Sequence, residues 1–359
     1  MYALLRRLLF LLSAEQAHHL GMGLLRGVGL FAGSGPRQLP APGPDLSVTS
    51  AGLRFAHPIL LAAGFDKNAE AVRGFFALGF AGVEVGTVTP LGQPGNPTPR
   101  LFRLPRERAL INRMGFNNAG AAAMAARLAA LGPRRGPVGI NVGKNKDTPL
   151  ERAVDDYLAA VSQLAPLADY LVVNASSPNT PGLRQLQEPE QLRALLTRVK
   201  QRVEELAPGK PLFLKVAPDL APEAVDAVVE VAIEARVSGL ICTNTTVARP
   251  VSGEHASEAG GLSGAPLAPL ALAILRRAAS RARGRLALWA SGGVFTADDV
   301  LERLAAGADV VQLYTALVYE GPGLVHRLVG ELRARLAARG VPSLATLVSA
   351  RLPPGRPGG

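Results

Sequence analysis

The fold is decided by the stretch Tyr170-Leu171-Val172-Val173-Asn174-Ala175-Ser176-Ser177-Pro178-Asn179-Thr180-Pro181-Gly182. A short apolar run that leads directly into small polar residues predicts a buried β-strand over 170–173, followed by a loop. Ligands of parallel α/β folds bind at the carboxyl ends of the strands, so this loop predicts a pocket with Ser177 as its candidate reactive group. A polar turn shaped by Pro178 and Pro181 is the alternative interpretation.

The same pattern recurs along the chain and indicates the fold class. Because the apolar runs are continuous rather than alternating, and helical segments separate them, they predict a parallel sheet buried on both faces. We therefore expect an α/β fold, a (β/α)8 TIM barrel with an N-terminal helical extension, and a doubly wound open sheet is the alternative. Eight runs carry this pattern: 59–62, 82–85, 138–142, 170–173, 212–216, 239–242, 286–290 and 310–313.

Composition narrows the class of protein further. The chain has 359 residues, 48% of them hydrophobic, which suffices for one large core. A single cysteine, Cys242, excludes a disulfide framework, and five scattered histidines without ligand spacing predict no metal site. The formal charge of +11 indicates either an anionic partner or general enrichment in arginine, and the even spread of arginines favours enrichment.

Four segments are expected: a helical extension (1–35), a Pro/Gly linker (36–45), the barrel (46–340) and a C-terminal tail (341–359). The apolar run at 8–12 is too short for a signal-peptide core or a membrane span. Leucines beside Arg6, Arg7 and Arg26 favour two short helices in the membrane interface, with arginines toward anionic headgroups. A helical hairpin that caps the domain is the alternative.

The residues after each run are polar or glycine, and a barrel brings them to one mouth. Three of the six lysines, Lys67, Lys144 and Lys215, fall in these segments. Glycine-rich segments at 260–264 and 291–293, together with Tyr314 and Thr315, lie where barrels commonly bind a phosphate. The sequence therefore predicts a phosphorylated substrate or cofactor.

Several motifs in this order resemble those of quinone-dependent (class 2) dihydroorotate dehydrogenases over essentially the whole chain. They are Ala63-Gly64-Phe65-Asp66-Lys67, Asn112-Arg113-Met114-Gly115-Phe116-Asn117, 174–184, Thr243-Asn244-Thr245-Thr246 and Gly261-Leu262-Ser263-Gly264. The resemblance implies a monomeric FMN enzyme, one FMN per chain, that oxidises (S)-dihydroorotate to orotate in de novo UMP synthesis. It implies a membrane quinone as final acceptor and a peripheral location at the cytoplasmic face of the cell membrane, without nucleic acid.

The resemblance also implies roles for individual residues. Ser177 becomes the base that takes the C5 proton while hydride leaves C6 for FMN. Because a serine hydroxyl is a poor base alone, we expect Thr180 and a water near Phe116 to relay the proton. Substrate contacts are expected from Lys67, Asn112, Arg113, Met114, Gly115, Phe116, Asn174, Asn179, Asn244 and Thr245. Cofactor contacts are expected from Ala63, Gly64, Phe65, Asp66, Lys67, Thr87, Asn141, Asn174, Lys215, Thr243, Gly264, Gly293, Tyr314 and Thr315.

On the quinone side, the resemblance places His18, Arg103 and Tyr314 in the polar lining of a tunnel between the N-terminal helices and the barrel. A partly buried structural histidine is the alternative for His18.

Three other classes remain to be weighed. A class 1 dihydroorotate dehydrogenase has cysteine where Ser177 stands and lacks the helical extension. A tRNA-dihydrouridine synthase requires a catalytic cysteine in a loop, whereas Cys242 lies within an apolar run. A non-catalytic membrane scaffold does not explain the polar mouth.

Overall fold

The computed structural model describes residues 2–31 and 43–349, and the expected linker lies outside the described residues up to position 42. Eight parallel strands form a closed barrel in which each strand pairs with its neighbours in chain order. The predicted TIM barrel is thus confirmed, and the open sheet is excluded. The barrel strands are Ile59–Leu61, Val83–Val88, Val138–Val142, Tyr170–Asn174, Leu212–Val216, Gly239–Cys242, Ala287–Ser291 and Val310–Leu313.

The strands agree with the predicted runs to within a few residues because continuous apolar runs are buried on both faces. Amphipathic helices cover the outside and bury their leucine, valine and alanine faces against the strands. These helices are Val72–Ala77, Ala121–Ala129, Ala153–Leu164, Pro189–Leu206, Pro222–Glu234, Ala268–Ala282, Ala297–Ala305, Thr315–Glu320 and Leu324–Ala338. Short 3₁₀ helices occupy Leu150–Arg152, Ala165–Leu167, Leu183–Gln187 and Ala265–Leu267.

An antiparallel hairpin, Val48–Ser50 and Leu53–Phe55, packs at the amino-terminal end of the barrel. Trp289 Nε1 donates to Ser50 Oγ at 2.9 Å, and the Phe55 ring meets the Trp289 ring edge-on. Apolar and aromatic contacts therefore fill this end, and the opposite end remains available for ligands.

Two small antiparallel sheets interrupt the barrel pattern. Leu91–Gln93 pairs with Asn118–Gly120 in one sheet. Leu101–Leu104, Ala109–Asn112 and Gly261–Gly264 form the other. The glycine-rich segment Gly261–Gly264 is a strand because it pairs with a segment about 150 residues earlier in the chain. This pairing brings Asn112 and Gly264 to the same cavity.

Two helices, Tyr2–Leu9 and Ala14–Phe31, form the expected extension. The second helix packs closely on Val72–Ala77, since a Cβ at Gly74 would lie 2.3 Å from the Leu25 carbonyl oxygen. Arg6 Nη1 donates to the Tyr319 carbonyl at 2.7 Å, and Arg26 pairs with Glu70. Arg6 contacts the barrel, which corrects the expectation that it reaches toward lipid, whereas Arg7 and Arg26 are exposed.

The segment assigned to the C-terminal tail begins with ordered structure. A helix spans Leu344–Ser349, and Leu344 is fully buried. Leu344 N–H donates to the Asp45 carbonyl at 2.7 Å, and Asp45 N–H donates to the Pro342 carbonyl at 3.0 Å. The start of the barrel domain therefore holds residues 342–344 in place, while residues 350–359 lie outside the described part of the chain.

Candidate active site

A cavity opens at the carboxyl ends of the barrel strands. Most of the predicted substrate and cofactor residues line it, although they come from segments far apart in sequence. The predicted residues in the lining are Ala63, Gly64, Lys67, Thr87, Asn112, Met114, Gly115, Phe116, Asn174, Ser177, Asn179, Lys215, Thr243, Asn244, Thr245, Gly264, Gly293, Tyr314 and Thr315.

A network of amide side chains forms one wall of the cavity. Asn174 Nδ2 donates to Thr87 Oγ1 at 2.9 Å and to Asn141 Oδ1 at 3.1 Å. Asn244 Nδ2 donates to Asn174 Oδ1 at 3.2 Å and to Ser176 Oγ at 3.0 Å. These bonds fix the amides in one orientation, so the wall presents donors and acceptors at set positions.

Ser177 lies in the loop after the fourth barrel strand and is only 5% exposed. Asn179 N–H donates to Ser177 Oγ at 3.2 Å, and Asn179 Nδ2 donates to Asn112 Oδ1 at 3.0 Å. An N–H group directed at the hydroxyl oxygen stabilises negative charge there and leaves the hydroxyl hydrogen available for another acceptor. This geometry suits a proton-accepting serine.

Two lysines give the cavity positive charge. Lys215 extends from the fifth strand, and burial lowers its pKa while the nearby Glu84 carboxylate partly opposes this shift. Burial together with the Arg100 charge lowers the pKa of Lys67 to about 7, and Lys67 Nζ donates to Asn117 Oδ1. The Lys215 side chain makes no hydrogen bond with another described residue, so its ammonium group is available to an anionic ligand.

One end of the cavity has the geometry of a phosphate cradle. The amides of Gly292, Gly293 and Val294 donate to no acceptor within residues 2–31 and 43–349. Gly293 has φ +72°, and a Cβ there would lie 2.5 Å from Ala268 Cα. Glycine at this position lets the backbone approach the start of the helix Ala268–Ala282, leaving N–H groups for an anion. The cradle, the buried Lys215 and the amide wall together fit a phosphorylated flavin.

A second cavity lies between the N-terminal helices and the barrel. Its lining is mainly leucine, valine and phenylalanine, and it also includes His18, Arg103 and Tyr314. Burial lowers the pKa of His18 to about 4, so His18 is neutral near pH 7. Tyr314 lines both cavities and therefore forms part of the wall between them.

Arg103 has a structural role beside this cavity. Its guanidinium lies 4.5 Å from the Phe10 ring centroid and donates to the carbonyl groups of Leu9, Phe10 and Leu12. These bonds tie the end of the first helix to the barrel and leave limited donor capacity for a ligand.

Five of the residues predicted to contact substrate or cofactor or to relay the proton do not line the first cavity. Asp66 accepts the N–H groups of Glu70 and Ala71 at 2.8 Å, and burial raises its pKa to about 6, so it stabilises its own loop. Arg113 pairs with Glu258, and its guanidinium stacks on the Phe102 ring instead of facing the cavity. The other three are Asn141 behind the amide wall, Phe65 in the second cavity, and Thr180 buried within the Ser177 loop.

Two polar residues around the cavity were not predicted from the sequence. Gln312 lines the cavity, and Glu84 lies behind it with its side chain fully buried. Glu84 and Gln312 interrupt apolar strand runs, and a polar residue within a buried strand is the signal that identifies such positions.

The fold and cavity define a class of protein: a TIM-barrel enzyme with room for a phosphorylated cofactor and a substrate at the carboxyl ends of its strands. A family described as dihydroorotate dehydrogenase matches residues 45–336. The chain belongs to this family.

Similar proteins agree with this assignment. The chain is 60% identical over 354 residues to a dihydroorotate dehydrogenase (quinone) of Myxococcus xanthus, covering 98% of each chain. It is 54% identical to one from Anaeromyxobacter sp. strain Fw109-5, covering 96% of each. A crystal structure of Eimeria tenella DHODH in complex with ferulenol matches with a TM-score of 0.85 at 39% identity, covering 93% of this chain and 96% of that one.

Proposed function

We propose that the chain oxidises (S)-dihydroorotate to orotate for UMP synthesis, with one FMN per chain and a membrane quinone as the final electron acceptor. The observation that carries the proposal is a single cavity in which Ser177, the amide wall, two lysines and a glycine-rich anion cradle face one another. The proposal is supported by the family assignment and by quinone-dependent relatives whose whole length matches this chain.

The residues divide the cavity between cofactor and substrate. FMN, when bound, supplies the acceptor for the C6 hydride and the route of the electrons to the quinone. Lys215 provides positive charge near the flavin, and the amides at 292–294 together with Gly264 and Thr315 hold its phosphate. Thr87, Thr243 and Asn174 bind the ring and ribityl edges.

The substrate is a flat ring with amide edges and a carboxylate. Asn112, Asn179 and Asn244 provide paired donors and acceptors for such edges, and Lys67 provides positive charge. The Asn179–Asn112 hydrogen bond and the bond from Asn244 to Asn174 orient these amides before the substrate arrives, which lowers the entropy lost on binding. Thr245, Met114, Gly115 and Phe116 complete this side of the cavity.

The chemical step needs one proton acceptor. Ser177 Oγ takes the C5 proton as the C6 hydride leaves, so a C5–C6 double bond forms. Because a serine alkoxide is too basic to persist, the hydroxyl proton must move onward at the same time. Thr180, three residues along the same loop, and a water near Phe116 are the proposed relay.

The second cavity is the proposed quinone site. Its apolar lining suits a quinone ring and isoprenoid tail, and Tyr314 separates it from the cofactor cavity. Neutral His18 provides a polar group without the desolvation cost of a buried charge.

The N-terminal helices are the proposed membrane contact, with the protein a peripheral monomer at the cytoplasmic face. Leu4, Leu8, Leu11, Leu24 and Phe31 expose between 59% and 92% of their surface, and they come from both helices and the turn between them. No helix in the described part of the chain is both long and apolar enough to cross a membrane. Flotation with vesicles containing phosphatidylglycerol tests this contact, and failure to bind them would contradict it.

Single-turnover kinetics test the proposed chemistry. We expect the purified protein to contain FMN and Ser177→Ala to retain it but to reduce it at least about 100-fold more slowly with dihydroorotate. Ser162→Ala is the matched control because Ser162 lies on an outer helix, where its hydroxyl donates to the Leu158 carbonyl at 2.7 Å. Equal rates in the two variants would contradict the role of Ser177.

A further inference from the structure

A buried carboxylate lies behind the cofactor cavity, and none of the roles above uses it. Glu84 belongs to the second barrel strand and is fully buried. Its Oε1 accepts from Asn141 Nδ2 at 2.9 Å, and its Oε2 accepts from Gln312 Nε2. A buried carboxylate in this position requires a reason, because its desolvation is costly.

The chemistry of a carboxylate explains what these bonds accomplish. Ionised carboxylate oxygens only accept hydrogen bonds, so both amides must turn their NH₂ groups toward Glu84 and their oxygens away from it. For Asn141, the oxygen then accepts from Thr87 Oγ1 at 2.5 Å and from Asn174 Nδ2 at 3.1 Å. Glu84 thus fixes the polarity of the amide wall.

The second amide oxygen has a different environment. Gln312 is 1% exposed and lines the cofactor cavity, yet its Oε1 has no hydrogen-bond donor among the described residues. A buried oxygen without a donor is unfavourable. Since Glu84 prevents the amide from turning over, the missing donor must come from whatever occupies the cavity.

We propose that Glu84 is a positioning residue of the cofactor site, and that it holds Gln312 so that its Oε1 accepts a hydrogen bond from the bound flavin. The inference rests on the proposed flavin function. A flavin offers two kinds of donor, the ring imide N3–H and the ribityl hydroxyls. Burial lowers the pKa of Lys215, which also lines the cavity, and the Glu84 carboxylate partly opposes this shift.

The first test compares flavin release from holoenzymes after dilution, followed by the fluorescence of free flavin. Gln312→Met removes the acceptor at nearly constant volume, and Glu84→Gln removes the restriction on amide orientation. We expect about tenfold faster release from each variant. In the double variant, the increase in the rate of flavin release should be smaller than the product of the two single-variant increases, because both changes act on the same hydrogen bond.

Ser50→Ala is the matched control because Ser50 is a buried hydrogen-bonding residue at the opposite end of the barrel. It should lower the thermal midpoint while leaving release unchanged. A lower midpoint in the Glu84 and Gln312 variants with wild-type release would overturn the inference. Wild-type protein that contains no flavin would instead overturn the proposed function.

Flavin analogues identify the donor. Wild-type enzyme loaded with N3-methyl FMN should release it about tenfold faster than FMN if N3–H is the donor. A 2′-deoxyribityl analogue should show the same ratio if a hydroxyl is the donor. In either case the ratio should fall to about one in Gln312→Met. If both analogues are still released faster than FMN to the same degree in Gln312→Met, the assignment is contradicted, because the faster release then does not depend on the Gln312 oxygen.

Discussion

Arg184 should hold the Ser177 loop in its active position, although it does not line the cavity. Its Nε donates to the Ser176 carbonyl at 3.1 Å, Nη1 pairs with Asp219 at 2.9 Å, and Nη2 donates to the Thr245 carbonyl at 3.1 Å. One guanidinium therefore joins the loop after the fourth strand to the loop after the sixth. Both loops contribute side chains to the substrate side of the cavity.

The expected magnitude follows from these contacts. Arg184 and Asp219 side chains are 26% and 18% exposed, so the bonds are partly shielded from water. Loss of two charged hydrogen bonds at about 1.5 kcal/mol each amounts to about 3 kcal/mol. This changes the equilibrium between the active position of the Ser177 loop and its displaced positions by about 100-fold. Misplacement of Ser177 by about 1 Å has a similar effect on rate.

The assay is stopped-flow reduction of bound flavin by dihydroorotate. Arg184→Gln should reduce the limiting rate by about 10- to 100-fold, and Arg184→Lys by less, since lysine keeps the charge. Flavin release should remain at the wild-type rate in both. Arg193→Gln is the control, because its pair with Glu234 is exposed on the outer surface. A wild-type rate in Arg184→Gln would refute the reasoning.

Four further predictions concern other parts of the molecule. Gly21→Phe adds a ring to the second cavity, where nothing lies within 4 Å of the added Cβ, and should slow reoxidation by quinone but not reduction by dihydroorotate. Gly23→Phe, on the exposed side of the same helix, should leave both half-reactions unchanged. Lys215→Ala should lose FMN faster or reduce it more slowly, and full flavin content with normal reduction would contradict its role. Thr180→Ala should slow flavin reduction, and an unchanged rate would exclude the relay. Burial lowers the pKa of His57 to about 4, so the unfolded chain takes this proton first and stability falls as pH drops from about 6.5 toward 4. Between pH 7 and 5, urea unfolding should therefore show a loss of stability that is about 2 kcal/mol smaller in His57→Gln than in the wild type, and equal losses would contradict this.

The strands were predictable because parallel strands are buried on both faces and read as continuous apolar runs. The Ser177 loop was predictable because small polar residues gathered after such a run have few structural explanations. The strand Gly261–Gly264 was not, since its partner lies about 150 residues away and local propensity carries no information about that pairing.

The roles of individual charged side chains were harder to predict. Lys144 belongs to the predicted mouth, yet its Nζ donates to the carbonyl groups of Asn145, Lys146 and Thr148 and so stabilises its own loop. Arg6 was expected to face lipid but bonds to the barrel. Residue type and position along a strand predicted which segments meet, whereas the direction of a long side chain depends on packing that only the folded chain defines.

The most direct test of the account is anaerobic mixing of the purified protein with dihydroorotate, followed by addition of a ubiquinone or menaquinone analogue. We expect the flavin absorbance to bleach with dihydroorotate and to recover with a quinone, but not with fumarate or NAD⁺. Protein without flavin, or flavin that dihydroorotate does not bleach, would contradict the proposed chemistry of the cavity, and recovery with NAD⁺ or fumarate instead of quinone would contradict the proposed acceptor.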